Sequence, residues 1–269
     1  MRPTDSSLTE APNCASWSPP RSGDANDAVS MKPPRTFVVN QLDPDDCEVR
    51  VLVVPHAGAG ASVAAPLRTS AGPRWMIGAV RQAGRESRVR EPVAALPAQV
   101  STVVEAALAL PSHPTLVVVG CCSGAAVAFE AVRALDRTHP GVVVVSRAGP
   151  RTVPPGLDDG NGDPAQRLVE LSGFPESILA VPDALEILMP AVLGDFRAVD
   201  GYRAHATDRV SVPILIVAGD DDPHCRTEAM DGWGRHCVAV THSRIWRALP
   251  THREPVRSGG RDGRSPRDA

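Results

Sequence analysis

At 269 residues the chain is long enough to bury a substantial core, and 42% hydrophobic with 22% charged residues is the balance of a soluble globular protein. A formal net charge of −3 gives no attraction to nucleic acid or to an anionic membrane, and no apolar run reaches the roughly 20 residues that span a bilayer. Six irregularly spaced cysteines without a CxxC pair argue against a disulfide framework or a zinc site, so a reducing, cytoplasmic setting is expected.

Residues 1–34 are rich in Pro, Ser, Asp and Ala without apolar periodicity and are expected to form a disordered extension, with one domain following over residues 35–252. The short β-branched runs Val49–Val54, Leu116–Val119, Val142–Val145 and Ile214–Val217 read as strands buried on both faces of a parallel sheet. A weaker strand is expected at Met76–Val80. Between them, Val93–Leu110 and Ala125–Leu135 carry helical spacing. Strand and helix in alternation imply right-handed βαβ units and a mostly parallel α/β sheet. Residues 164–203 interrupt that rhythm with helical character (Leu171, Leu185, Leu188, Phe196), as expected of an insertion capping the carboxyl edge of the sheet. After Trp233 the pattern fades, and residues 253–269 read as a basic, disordered tail.

The sharpest chemical feature is Val119-Gly120-Cys121-Cys122-Ser123-Gly124-Ala125, where a buried strand passes through Gly-x-Cys-x-Gly directly into a helix. That is the layout of a nucleophile elbow, whose strained central residue projects from the top of the sheet. The flanking glycines let neighbouring backbones pass closely, and a helix N-terminus favours the ionised form of a thiol placed there. In this frame Cys122 is the nucleophile. Ser123 is the alternative, but its frame needs glycine at Cys121 and Ala125. A buried cysteine pair beside a tight turn is the plain structural reading. The small-residue loop Pro55-His56-Ala57-Gly58-Ala59-Gly60 follows a strand, and its Ala57 amide can join that of Ser123 as an oxyanion hole. His56 is read as structuring this loop, because in this layout the catalytic base comes last in the chain. The strand at Ile214 ends in Gly219-Asp220-Asp221-Asp222-Pro223, where Asp222 stands as the triad acid; a solvated acidic turn or a weak calcium loop is the other reading.

Together these segments resemble the type II thioesterases, free-standing α/β-hydrolases that serve polyketide and nonribosomal peptide assembly lines. Pro55-His56-Ala57-Gly58 looks like the family's oxyanion loop, and Gln82-Ala83-Gly84-Arg85-Glu86 with Arg88 and Glu91-Pro92 is similar to another of its stretches. Asp195-Phe196-Arg197 and Tyr202 look like the end of its helical lid, and Gly219 to Pro223 like its acidic turn. The resemblance implies an α/β-hydrolase fold and a Cys122-Asp222-His252 triad. It also implies an acyl- or peptidyl-carrier protein as partner, presenting the acyl group on phosphopantetheine, with no other cofactor and no metal.

Two departures accompany the matches. The family's elbow carries serine, here replaced by Cys122, and its histidine precedes an apolar helix, whereas His252 precedes a polar, Arg-rich tail. His236, His242 and His224 stand at less suitable distances. A serine converts a thioester into an oxyester, while a cysteine makes another thioester and keeps the acyl group activated. Acyl transfer or cyclisation is therefore the close alternative to hydrolysis. A degenerate carrier-binding homologue is the reading from a different class.

Overall fold

A computed structural model of the chain describes residues 37–39, 46–110, 115–135, 141–146, 148–150, 181–219 and 227–245. Among the described residues there are seven strands: β1 (Phe37–Val39), β2 (Val49–Val54), β3 (Trp75–Val80), β4 (Thr115–Cys121), β5 (Gly141–Ser146), β6 (Ile214–Gly219) and β7 (Val240–Ile245). They form one sheet in the order β1-β3-β2-β4-β5-β6-β7. Only β1 runs antiparallel to its neighbour. The helices are α1 (Ala65–Ser70), α2 (Leu96–Leu108), α3 (Ser123–Ala134), α4 (Pro182–Val199) and α5 (Thr227–Asp231). This is the α/β-hydrolase fold expected from the sequence. None of the described helices is long and apolar enough to cross a membrane.

Alternation along the strands divides the core. Leu52 and Val54 of β2 and Leu116 and Val118 of β4 pack with Val103 and Val104 of α2 and Val127 and Ala128 of α3. Val51 and Val53 face the other way, with Ile77, Ala79 and Ala64. A third cluster joins Phe129 of α3 to Val143, Val145, Ile214, Ile216, Met230 and Trp233. Each fully buried aliphatic side chain of this kind contributes about 1.5–3 kcal/mol over its exposed state.

The strand order fixes where a ligand can sit. From β2 the chain steps outward to β3, then crosses back to β4 on the opposite side of β2. That reversal opens a crevice at the carboxyl ends of β2 and β4, which pair in register up to Val54 and Gly120. The loop at His56 and the turn at Cys122 leave those two strand ends.

Several boundaries differ from the expected ones. Helix α2 begins at Leu96 rather than Val93, with Pro97 in its first turn, where a missing N–H costs no hydrogen bond. Helix α3 starts at Ser123, two residues early, so that it springs directly from the turn at Cys122. Strands β1 and β7 and helices α1 and α5 are additions. Of the insertion expected over 164–203, the described part is α4 and the segment after it, while residues 164–180 lie outside the described residues. So do residues 1–34 and 253–269.

Candidate active site

Cys122 links β4 to α3 with φ 55° and ψ −125°, a conformation that L-residues rarely adopt. The surrounding backbone over-determines it. The Cys122 N–H donates to Ser146 O at 2.9 Å, tying the turn to the end of β5. A Cβ on Gly120 would lie 2.3 Å from Gly124 O and 2.8 Å from the Ala125 Cα. One on Gly124 would lie 2.6 Å from both Val54 O and Pro55 O. Both glycines are therefore steric requirements: the first lets α3 close onto β4, the second lets it pass the end of β2. Ser123 is buried, and its N–H is the first of α3, with no helical carbonyl four residues behind it.

Facing the turn is the loop after β2. Ala57 is buried, and together with Val192 and Phe196 of α4 it forms a small apolar cluster against which Cys122, Met189 and Leu193 pack. Helix α4 thus roofs the elbow. Gly58 has φ +72°, and a Cβ there would strike Val192 Cγ2 at 2.2 Å. Its N–H donates to Asp195 Oδ2 at 2.9 Å, and the Ala59 N–H donates to His56 O at 3.0 Å. The Ala57 amide makes no such bond among the described residues. The Gly58 and Ala59 amides are engaged, and Ala57 between them and the turn packs with Cys122.

Asp195 belongs to a buried polar group. Arg85 forks onto its carboxylate, with Nη2 2.8 Å from Oδ1 and Nη1 2.7 Å from Oδ2, and the two side chains are 6% and 5% exposed. Arg85 Nη1 also donates to Ala59 O at 3.0 Å, and Gln99 Nε2 donates to Asp195 Oδ1 at 3.0 Å. On the far side of the loop Glu86, itself at φ 50°, accepts the Ala61 N–H at 2.8 Å and is held by Arg81 at 2.7 Å.

The sequence matches the thioesterase domain family over residues 49–253. The chain belongs to that family. A probable cadicidin biosynthesis thioesterase of Streptomyces griseus is 30% identical over 207 residues, a match spanning 74% of this chain and 56% of that protein. Thioesterase PikA5 of Streptomyces venezuelae is 29% identical, over 70% of this chain and 69% of that one. Among solved structures, the type II thioesterase BorB from the borrelidin biosynthetic cluster superimposes with a TM-score of 0.68 at 22% identity, covering 80% of this chain and 91% of that one. The RedJ thioesterase of the prodiginine pathway in Streptomyces coelicolor gives 0.65 at 21%, covering 82% of each chain.

In this thioesterase-family chain the structure brings Cys122, Ser123 and Ala57 together at the sheet's reversal point. Asp222 and His252 lie outside the described residues, as do Asp220, Asp221 and His224. Of the described histidines, His205 is exposed, with its Nδ1 2.7 Å from Thr207 Oγ1. His236 is buried, donates from Nδ1 to Asp208 O at 2.7 Å and meets Phe129 edge-on at 5.8 Å. His242 is exposed on β7, 3.6 Å from Asp231 Oδ1. His56 directs its Nδ1 to Ala57 O at 3.3 Å, in keeping with a role in shaping the loop. Sequence reasoning missed the partnership of Arg85 with Asp195. Both were noticed as parts of separate stretches, but 110 positions divide them and nothing local announces the pair.

Proposed function

We propose that this protein cleaves acyl thioesters carried on the phosphopantetheine arm of an acyl- or peptidyl-carrier protein, by way of an acyl group held on Cys122. The observation that carries the reading is the strained turn at Cys122, roofed by α4 and set against the Ala57 loop. The family match and the biosynthetic thioesterases among the relatives support the substrate class, and the match runs to residue 253, taking in both Asp222 and His252.

In the proposed sequence His252, oriented by Asp222, takes the Cys122 proton. The sulfur attacks the thioester carbonyl carbon, and the carbonyl oxygen takes the negative charge between the Ala57 and Ser123 amides. Collapse of this intermediate breaks the bond to the pantetheine sulfur, which leaves with the proton from His252. Water, deprotonated by the same histidine, then attacks the acyl-cysteine carbonyl, and collapse returns the Cys122 thiol and releases the acid. No cofactor of the chain's own takes part. The first step exchanges one thioester for another and is close to thermoneutral; hydrolysis supplies the driving force.

Cys122 itself favours a second reading. Its acyl-enzyme stays activated toward amines and internal nucleophiles, so acyl transfer or ring closure competes with hydrolysis. Incubation with a panel of acyl-carrier thioesters, with products identified by mass, distinguishes free acid from transferred or cyclised product. Cys122→Ser is the informative variant. Its hydroxyl depends on a working base, so hydrolysis should persist in Cys122→Ser and vanish when His252→Ala is added. Equal rates with and without His252 would remove it from the triad.

A further inference from the structure

Helix α4 is divided in its surroundings. Before Pro190, which cannot donate to the carbonyl four residues back, Asp183, Glu186 and Ile187 are exposed. After it, Ala191, Val192, Asp195, Phe196 and Val199 are buried. The buried half makes three kinds of contact with the Ala57 loop. Val192 fills the space that a Gly58 side chain would need, Asp195 accepts the Gly58 N–H, and Arg85 bridges Asp195 to Ala59 O. The Gly58 N–H, in the peptide plane that follows Ala57, and the Ala59 carbonyl are thereby fixed in direction, and the Ala59 N–H bond to His56 O ties down the plane before Ala57, which carries its N–H.

We propose that Asp195 and Arg85 are positioning residues, which aim the Ala57 amide at the developing oxyanion by locking the loop to the C-terminal half of α4. This half of the helix is then a fixed wall of the catalytic frame. The inference rests on the reading that Ala57 lines an oxyanion hole for acylation of Cys122. A buried carboxylate held by a guanidinium fork and two further donors suits such a task, because the fork permits one orientation. An error of about 1 Å in a donor's position is enough to cost on the order of a hundredfold in rate.

The test compares two rates at Cys122. Alkylation by iodoacetamide builds no oxyanion, whereas acylation by a small N-acetylcysteamine thioester does. In Asp195→Asn, acylation should fall by on the order of tenfold or more while alkylation stays within about twofold of the native chain. Should that variant fail to fold, Arg85→Lys serves with the same pair of rates, since lysine keeps the charge but cannot span Asp195 and Ala59 O together. A merely structural role would move both rates together with the melting temperature. A native chain that acylates, with variants that acylate equally fast, overturns this inference alone. A native chain that takes no acyl group, although iodoacetamide labels Cys122, overturns the underlying reading and this inference with it.

Discussion

The two halves of the sheet are built differently. On the Cys122 side, β2 and β4 lie in the middle of the sheet, and their two loops are held by close glycine contacts and by a buried ion pair. Farther along the sheet lie β6 and the edge strand β7, and β7 reads Val-Thr-His-Ser-Arg-Ile, a largely polar sequence with Thr241 and His242 exposed. A central strand must bury both faces and accepts little but apolar and small residues, while an edge strand is released from that demand. The lesson is that this fold invests its steric precision around the Cys122 turn and the loop at Ala57.

The contrast is broken most directly at Gly124. A methyl group there meets two backbone oxygens that cannot rotate away, so Gly124→Ala should destabilise the chain by about 3 kcal/mol or more and separate the elbow from the β2 loop. Denaturant unfolding together with the acylation rate checks this, and a variant of native stability would mean that the elbow is not so tightly determined.

A smaller effect is expected where the segment after α4 is stapled to α3. Tyr202 donates to Glu130 at 2.6 Å, and Glu130 and Asp208 both hold Arg133. Burial first, and the Glu130 carboxylate second, push the phenol far above its ordinary range. A raised folded-state value means that the folded chain holds the proton more tightly than the unfolded one. The stabilisation is thus fully present below about pH 10, where the unfolded tyrosine keeps its own proton, and fades as pH rises beyond that. Tyr202 is the chain's single tyrosine, so its phenolate absorbance should appear only with unfolding in alkaline titration. Tyr202→Phe should cost about 1–2 kcal/mol in chemical denaturation, since it removes a hydrogen bond to a charged carboxylate.

The smallest effect belongs to the edge. His242 is exposed and only 3.6 Å from Asp231, so His242→Ala should leave stability within about 0.5 kcal/mol and thioester cleavage unchanged. A large loss of turnover would move the base from His252 to β7.

How much the sequence discloses follows the same division. Strands β2, β4, β5 and β6 were legible because two-sided burial leaves continuous apolar runs, and the elbow because its glycines answer contacts within five residues of chain and one adjacent strand. Strand β7 was not, since an edge position imposes no apolar pattern, and β1 offers three residues only. The pairing of Arg85 with Asp195 was illegible for a different reason. It arises from the fold that brings α4 over the β2 loop, and neither residue carries a local signal of the other. The proposal of a triad with Asp222 and His252 rests on chain order and family resemblance.

The central claim is that Cys122 carries the acyl group, and brief incubation with an acyl-carrier thioester followed by mass analysis of the trapped protein tests it. One acyl group per chain should be found on the peptide containing Cys121, Cys122 and Ser123, and neutral hydroxylamine should release it as it does a thioester. The adduct should be absent from Cys122→Ala and retained in Ser123→Ala. An undiminished adduct in Cys122→Ala, or one that resists hydroxylamine as a serine ester would, contradicts the account.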